Sequence, residues 1–340
     1  MPDRVLLTGV SGFLGGHVAN ALLAAGYQVR GSVRSLAKAD KARETLAKAG
    51  ADVSRLEFVA LDLTKDDGWE AAASGCRFLL HTASPFVIRM PVDKMELIRP
   101  AVEGTERALN AGLKAGVERI ILTSSMAAIA YGHDRNRAAP FTAADWTDLE
   151  GRGCNAYVES KTRAERRAWE IMKAAGREAD LAVINPSGIF GPLLDEDPGT
   201  SALLVIRILN GGTPAAPRFN FAVVDVRDVA AAHVAALTSP SAGGRRFPMG
   251  ERTLSLKQFA DILRRRFPAY ARKIPRFELP DWAVRLYALF DADLRGNLGE
   301  LGVARRMDSR DVVALLGRDL ITAEAALAAT GESVIAFKLV

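Results

Sequence analysis

The fold of this chain is decided by its amino-terminal segment, residues 4–15, which reads RVLLTGVSGFLG. Arg4–Thr8 is a short apolar strand, and Gly12–Gly26 is predicted to be a helix. Glycines at positions 9, 12 and 15 allow a tight turn, a close backbone approach and packing of the helix on the strand. The helix start then presents N–H groups to a phosphate. The spacing G-x-x-G-x-x-G is a variant of the G-x-G-x-x-G fingerprint, so it predicts a dinucleotide site. A glycine-rich turn without a ligand is the alternative.

Apolar strands alternate with helix-length amphipathic segments through the first two thirds of the chain. This order predicts an α/β fold, a Rossmann-type doubly wound parallel sheet, with a smaller C-terminal α+β substrate lobe. We assign residues 1–185 and 219–240 to the Rossmann domain and residues 186–218 and 241–340 to the lobe. The later strands are predicted at Tyr27–Val33, Leu56–Ala60, Cys76–His81, Glu118–Thr123 and Leu181–Ile184. Helices are predicted at Leu36–Gly50, Pro100–Gly116 and Cys154–Gly176, and another is expected to start at a Thr64 cap.

The composition describes an ordinary globular chain and excludes several classes of function. The 340 residues are 49% apolar and 25% charged, with a net charge of +5 that is scattered along the sequence. Because the basic residues form no patch, we expect no nucleic-acid partner. The two cysteines exclude a disulfide scaffold, and the four histidines lack metal-ligand spacing. No apolar stretch approaches the roughly 20 residues of a membrane span. We expect a cytoplasmic protein with no membrane partner and no metal.

The end of the second predicted strand indicates which dinucleotide binds. An acidic residue about 20 positions after the glycines would bind a ribose 2′-hydroxyl. Here that place is taken by Arg34, and no Asp or Glu occurs from Tyr27 to Ala39. A guanidinium can hold a 2′-phosphate in a bidentate manner, so we predict NADP(H). A surface arginine without a ligand is the alternative. Asp62, after the third strand, is expected to accept a hydrogen bond from the adenine amino group or to cap the next turn.

Three further residues carry the predicted chemistry. Tyr157 and Lys161 are four residues apart on a predicted helix, so both project from one face. An ammonium group nearby would lower the pKa of a tyrosine, which is ordinarily near 10. Tyr157 would then protonate an alkoxide that forms as hydride arrives from a nicotinamide. Ser125, at the end of the fifth strand, would hold the substrate oxygen. A helix surface without a function is the alternative for the tyrosine and the lysine.

These motifs stand in the order seen in a known family. Thr8–Gly15, the segment HTASP at 81–85, VEGT at 102–105, LTSS at 122–125, YVESK at 157–161 and NPSGIFGP at 185–192 resemble the extended short-chain dehydrogenases/reductases. The resemblance is strongest to the dihydroflavonol 4-reductase-like branch, which includes cinnamoyl-CoA, methylglyoxal and other aldehyde or ketone reductases. It implies that the catalytic serine is Ser125, the second of the Ser-Ser pair. The complete set of expected cofactor contacts is Gly9, Ser11, Gly12, Phe13, Leu14, Gly15, Arg34, Asp62, Leu63, Ala83, Ser84, Pro85, Thr123, Tyr157, Lys161, Pro186, Ser187 and Ile189.

The substrate pocket is expected to be apolar. Phe86, Met126 and Phe190 are its predicted lining residues, although packing in the core would also explain them. An apolar lining argues against a flavonoid and favours a smaller apolar or aromatic carbonyl compound. We therefore expect a reductase of aldehydes or ketones that depends on NADPH and acts as a monomer or homodimer. A hydroxysteroid dehydrogenase or a sugar-nucleotide epimerase is the alternative enzyme, and a non-catalytic NADPH sensor is the alternative from another class.

Overall fold

The computed structural model describes residues 2–85, 91–290 and 295–340, and within them a seven-stranded sheet is the centre of the fold. The strands are β1 (Arg4–Thr8), β2 (Gln28–Val33), β3 (Leu56–Ala60), β4 (Phe78–His81), β5 (Arg119–Thr123), β6 (Leu181–Pro186), β7 (Gly188–Phe190), β8 (Asn220–Asp225), β9 (Arg245–Met249) and β10 (Arg252–Ser255). The large sheet has the order β3-β2-β1-β4-β5-β6-β9, and all its neighbouring strands are parallel. A small sheet has the order β10-β8-β7.

The helices lie on both faces of the large sheet and around the small one. They are α1 (Phe13–Ala24), α2 (Ala39–Lys48), α3 (Trp69–Ala73), α4 (Met95–Ala115), α5 (Ala156–Ala174), α6 (Gly199–Leu209), α7 (Val226–Thr238), α8 (Leu256–Arg266), α9 (Asp281–Tyr287), α10 (Arg310–Leu316) and α11 (Ala323–Ala336). One face of the sheet packs on α1 and α7, and the other on α4 and α5. The predicted Rossmann-type α/β fold is confirmed. No helix of the described ranges is both long and apolar enough to cross a membrane.

Continuous apolar runs explain why the central strands form where they do. Strands β4 and β6 are buried along their whole length, as expected for a parallel sheet covered on both faces. Helix α1 places Val18, Ala19, Leu22 and Leu23 in the core against this sheet. Since all the strands point the same way, their carboxyl ends lie along one edge. The glycine turn and the serine pair follow strands, and Pro186 is the last residue of β6, so all three lie at that edge.

The border between the two parts of the chain differs from the sequence assignment. Strand β9 pairs with β6 in the large sheet, from Ala182 opposite Arg245 to Pro186 opposite Met249, although we assigned residues 241–340 to the lobe. Conversely, β8 belongs to the small sheet although it falls in residues 219–240. The sequence RRFPM of β9 contains a proline and two arginines, which is tolerated because β9 is an edge strand. We propose that β9 and α10 belong with the Rossmann domain and that β8 belongs with the lobe.

Two helix starts also differ from the prediction. Helix α3 begins at Trp69, after a left-handed Gly68, and not near Thr64. The Thr64 hydroxyl and N–H both donate to the Asp62 carboxylate, so this segment is a turn. Helix α4 begins at Met95 and contains Pro100, which was expected to be its first residue. Proline is favoured at a helix start, but the amphipathic pattern around it continues toward the amino terminus and decides the boundary.

Candidate active site

The glycine turn has the geometry of a phosphate-binding loop. Gly9 has φ +74°, and a Cβ on Gly15 would lie 2.0 Å from the Gly9 carbonyl oxygen, so neither position accepts a side chain without strain. A Cβ on Gly12 would meet only that carbonyl, at 3.5 Å, so Gly12 borders an open side of the turn. Helix α1 starts without a side-chain cap and without an acidic residue in its first turn. Its N–H groups and the positive end of its dipole therefore favour an anion there.

A cluster of hydrogen bonds joins this turn to the end of β4. The Thr8 hydroxyl accepts from the Thr82 and Ala83 N–H groups, at 3.1 Å each, and is 2.9 Å from Nδ1 of His81. The Thr82 hydroxyl donates to the Thr8 carbonyl at 2.5 Å. This brings Ala83 against Gly9 and places the segment 83–85 beside the glycine turn. Sequence analysis did not assign a role to the Thr8 side chain. Its position as a polar residue at the end of an apolar strand could have indicated a hydrogen-bonding role at the sheet edge.

Arg34 and Asp62 lie at neighbouring strand ends. Arg34 follows β2, is exposed and forms no salt bridge with any described residue. Asp62 follows β3, which pairs with β2 up to Val33 opposite Ala60. Hydrogen bonds from the Thr64 N–H and hydroxyl, at 2.9 and 2.8 Å, hold the pKa of Asp62 below its ordinary value. Asp62 is therefore an anionic acceptor in a turn, and the prediction that it contacts adenine stays a prediction.

Ser125 and Tyr157 are brought together by β5 and α5. Ser125 lies two residues after the end of β5. Its hydroxyl accepts a hydrogen bond from the Ala127 N–H at 3.1 Å and so caps a single turn of 3₁₀-helix, Met126–Ala128. Helix α5 is capped by Asn155, whose side chain accepts from the Val158 N–H at 3.0 Å. Tyr157 is in the first turn of this helix, and its side chain lies near Ser125. Lys161 is one turn further on, and its Nζ lies 6.0 Å from the centre of the Tyr157 ring.

The protonation states of this group suit a proton donor. Burial raises the pKa of Tyr157 above 10, and the hydrogen bond with Ser125 only partly opposes this. The direction is opposite to the expected lowering by Lys161, because removal of the phenol from water is the largest cause of the shift. Burial lowers the pKa of Lys161 to about 8, while the charge of Glu165 opposes that change. At neutral pH, Tyr157 is therefore a protonated phenol and Lys161 is mainly an ammonium.

His81, at the end of β4, lies beside the Thr8 hydroxyl and near Lys161. Burial, together with the charge of Lys161, lowers the pKa of His81 to about 3, so its imidazole is neutral. His81, Ser84, Thr123 and Lys161 line one small cavity behind the site. The Thr123 hydroxyl is 2.6 Å from Nε2 of His233, on α7. The histidines near the site therefore have structural contacts. Within the described residues, no group of three or more His, Cys, Asp or Glu side chains is placed to hold a metal ion.

The remaining expected cofactor contacts lie along the same strand ends. Ser11 is exposed in the glycine turn, and Pro186 and Ser187 are buried at the end of β6, where the Ser187 N–H donates to Met249. The half-buried members of the set are Phe13, Leu14, Leu63, Ala83, Ser84, Pro85, Thr123 and Ile189. Contact of these residues with a cofactor stays a prediction.

The expected pocket residues have different surroundings. Phe190 is only 3% exposed and packs against Phe259, with ring centres 5.3 Å apart, in the core of the lobe. This is the core packing that the sequence analysis gave as the alternative, and a place for Phe190 in the substrate pocket stays a prediction. Met126 follows Ser125 and is half-buried beside Ile129 and Phe141. Phe86 lies outside the described residues.

Comparison with known proteins agrees with this arrangement. The family model described as NAD dependent epimerase/dehydratase family matches residues 5–250. Cinnamoyl-CoA reductase 1 of Oryza sativa subsp. japonica is 38% identical over 268 residues, covering 78% of this chain and 76% of that protein. Tetraketide alpha-pyrone reductase 2 of Arabidopsis thaliana is 33% identical over 275 residues, covering 79% of this chain and 84% of that protein. Yeast methylglyoxal/isovaleraldehyde reductase Gre2, solved with NADPH, has a TM-score of 0.80 and 26% identity, covering 98% of this chain and 99% of that chain.

The relatives include the cinnamoyl-CoA and methylglyoxal reductases of the branch that the motifs indicated, so the predicted resemblance is confirmed. With a family model that covers most of the chain, the family is established. The chain belongs to the NAD dependent epimerase/dehydratase family, within the extended short-chain dehydrogenases/reductases.

Proposed function

We propose that this protein reduces an aldehyde or a ketone to an alcohol, with NADPH as the hydride donor. The observation that carries the proposal is the placement of the Tyr157 phenol near Ser125, with Lys161 one helical turn away at the carboxyl edge of a Rossmann sheet. A half-buried phenol that keeps its proton at neutral pH near a second hydroxyl is suited to bind a carbonyl oxygen and then protonate it. The relatives named above are reductases, which supports the same class of reaction.

Each side chain has a role that follows from its surroundings. Ser125 donates a hydrogen bond to the substrate oxygen and orients it toward Tyr157. When bound, NADPH supplies the hydride that adds to the carbonyl carbon, while the C=O π electrons move to the oxygen. Tyr157 transfers its proton to that oxygen, which completes the alcohol. Lys161 places a positive charge near the resulting phenolate and favours the transfer.

The residues present fit a dinucleotide with a 2′-phosphate. The open side of Gly12 and the start of α1 suit the pyrophosphate, because no side chain caps that helix start and no acidic residue lies in its first turn. Arg34, which is exposed and has no salt bridge with the described residues, is available for the 2′-phosphate. The expected cofactor, NADP(H), is also the one with which the yeast reductase was solved. We therefore propose NADPH as the cofactor of this chain.

The substrate class is proposed from the surroundings of Ser125. Met126 and Tyr131 are half-buried, and Tyr131 stacks beneath Arg305, whose guanidinium lies 4.0 Å from the ring centre. These aromatic and apolar groups suit a small apolar or aromatic carbonyl compound. An epimerase remains the alternative, since the family includes such enzymes. Epimerases retain their nicotinamide cofactor through the cycle, so they show no net consumption of it.

The experiment that tests this function measures NADPH and NADH consumption by the purified protein with a panel of small aldehydes, ketones, keto esters and sugar nucleotides. We expect net NADPH consumption with one or more carbonyl compounds and formation of the matching alcohol in equal amount, detected by mass spectrometry. Epimerised sugar nucleotide without net cofactor consumption would contradict the proposal. Tight NADPH binding without turnover of any compound would instead favour a sensor.

A further inference from the structure

A buried ion pair lies directly beneath the proposed active site. Glu165 is fully buried on α5, one turn after Lys161, and Arg246 on β9 is 7% exposed. The Arg246 Nε lies 2.5 Å from Oε1 of Glu165. The other carboxylate oxygen, Oε2, accepts from the Ser124 hydroxyl at 2.5 Å and from Nδ2 of Asn185 at 2.7 Å. Both oxygens of Glu165 are therefore held by donors from β6, β9 and the residue that follows β5.

These contacts surround the segment that carries Ser125. Ser124 precedes it in the chain, and Nδ2 of Asn185 also lies 3.3 Å from the Ser125 carbonyl oxygen. The Arg246 guanidinium reaches the Ala128 carbonyl at 3.4 Å, at the end of the turn that Ser125 caps. Residues 124–128 are thus held at one end by Ser124 and Asn185 and at the other end by Arg246. All three of these side chains contact the Glu165 carboxylate.

Arg246 is itself held rigidly. Its guanidinium donates to the carbonyl oxygens of Ala143, at 2.9 Å, and Asp145, at 2.6 Å. It also lies 3.8 Å from the centre of the Trp146 ring. A buried ion pair of this kind is weak evidence for stability, because desolvation of both charges opposes their attraction. Its location under the serine turn therefore calls for a role other than stability.

We propose that Glu165, held by Arg246, is a positioning residue for hydride transfer, which fixes Ser125 relative to Tyr157 and keeps a negative charge beside Lys161. The proposal rests on the proposed function for its activity readout. Its electrostatic part agrees with the surroundings of Lys161, since Glu165 raises the pKa of that lysine against the effect of burial. Among the described residues, His81 and Tyr157 also face Lys161, and both are neutral at pH 7.

The informative variant is Glu165→Gln, which keeps the shape and removes the charge. We expect kcat to fall ~10- to 100-fold, because a small misplacement of reacting groups has that effect, with little change in NADPH affinity. Without the negative charge, the pKa of Lys161 falls below its present value of about 8. The alkaline decline of kcat/KM therefore moves to lower pH. A role in stability alone would not move that decline.

Two variants separate geometry from charge. Ser124→Ala removes one hydrogen bond but leaves the Glu165 charge, so we expect a lower kcat with an unchanged pH profile. Glu106→Gln breaks an ion pair with Arg167 of α5, in which Oε1 of Glu106 lies 2.5 Å from Nε of Arg167. This ion pair is half-exposed on the helix surface. We expect it to match the wild type in kcat and in pH profile. Thermal unfolding and NADPH titration establish that each variant is folded.

A second readout does not depend on turnover. The pH dependence of acetylation of Lys161, followed by mass spectrometry on the intact folded protein, gives the lysine pKa directly. We expect a lower midpoint in Glu165→Gln and an unchanged midpoint in Glu106→Gln. A wild-type midpoint for Glu165→Gln, or wild-type kcat in Ser124→Ala if Glu165→Gln does not fold, would overturn the proposal. An inactive wild type with shifted acetylation would contradict the reductase function alone.

Discussion

The pKa of Lys161 leads to a prediction about the pH dependence of catalysis. Burial lowers this pKa from 10.5 to about 8, whereas the pKa of Tyr157 is raised above 10. As pH rises, the lysine therefore loses its proton before the tyrosine does. With a pKa about 8, the ammonium fraction falls from ~90% at pH 7 to ~10% at pH 9. If the positive charge of Lys161 assists proton transfer, kcat/KM declines above about pH 8 with a slope of one proton.

The assay is kcat/KM for NADPH-dependent reduction across neutral and alkaline pH, with wild type, Lys161→Arg and Lys173→Arg. An arginine keeps its charge throughout this range, so Lys161→Arg should lose the decline near pH 8 even if its rate is lower. Lys173 is exposed near the end of the same helix, and Lys173→Arg should keep the wild-type profile. A wild-type profile that stays flat through pH 9, or a decline that persists in Lys161→Arg, would refute the reasoning.

Three further predictions concern the cofactor and the fold. Arg34→Ala should lower the preference for NADPH over NADH ~10- to 100-fold, since a charge-assisted hydrogen bond contributes about 1.5–3 kcal/mol. The ratio of the kcat/KM values with the two cofactors measures this preference. An unchanged ratio would disprove the assignment of Arg34 to the 2′-phosphate. Gly15→Ala should weaken NADPH binding at least ~10-fold and lower the Tm, because its Cβ would lie 2.0 Å from the Gly9 carbonyl oxygen. Gly16→Ala is the control in titration and thermal melts, because its Cβ would meet the flexible Leu194 side chain at 3.0 Å and the Val10 carbonyl oxygen at an ordinary 3.8 Å. Lys161→Met should raise the free energy of unfolding by ~1–3 kcal/mol at pH 7, as expected from a pKa lowered by over two units. In denaturant titrations this gain should shrink as pH rises from about 8 toward 10, where the wild-type lysine is already neutral in the folded state but still charged when unfolded.

Local patterns were sufficient to predict the elements that surround the cofactor site. The apolar runs that became β1, β3 and β5 were located to within a residue. Strands β1 and β5 are buried along most of their length, and such strands need near-continuous apolar sequence. The glycine turn could also be predicted from the sequence, since Gly9 and Gly15 occupy positions that tolerate no side chain. The order of these elements then determined which strand ends share an edge. The confirmed fold class and family follow from such short-range features.

Features that depend on contacts distant in sequence could not be predicted. Glu165 and Arg246 are 81 residues apart, and β9 reads as a polar, proline-containing segment until it is seen at the sheet edge. Phe190 resembled a pocket residue because it follows the Asn-Pro motif, but its neighbour Phe259 places it in the lobe core. The direction of the Tyr157 pKa depends on burial, which the spacing of tyrosine and lysine does not reveal.

The central claim is that Tyr157 donates the proton during carbonyl reduction. The most direct test is single-turnover oxidation of bound NADPH, followed after mixing with a carbonyl substrate, for wild type, Tyr157→Phe and Tyr27→Phe. Tyr27 lies before β2, at the opposite end of the sheet, and serves as the matched control. We predict that Tyr157→Phe binds NADPH normally but transfers hydride ~10²- to 10⁴-fold more slowly, the range expected for loss of a general acid, while Tyr27→Phe reacts at the wild-type rate. Hydride transfer by Tyr157→Phe at a rate close to that of the wild type would contradict the mechanism.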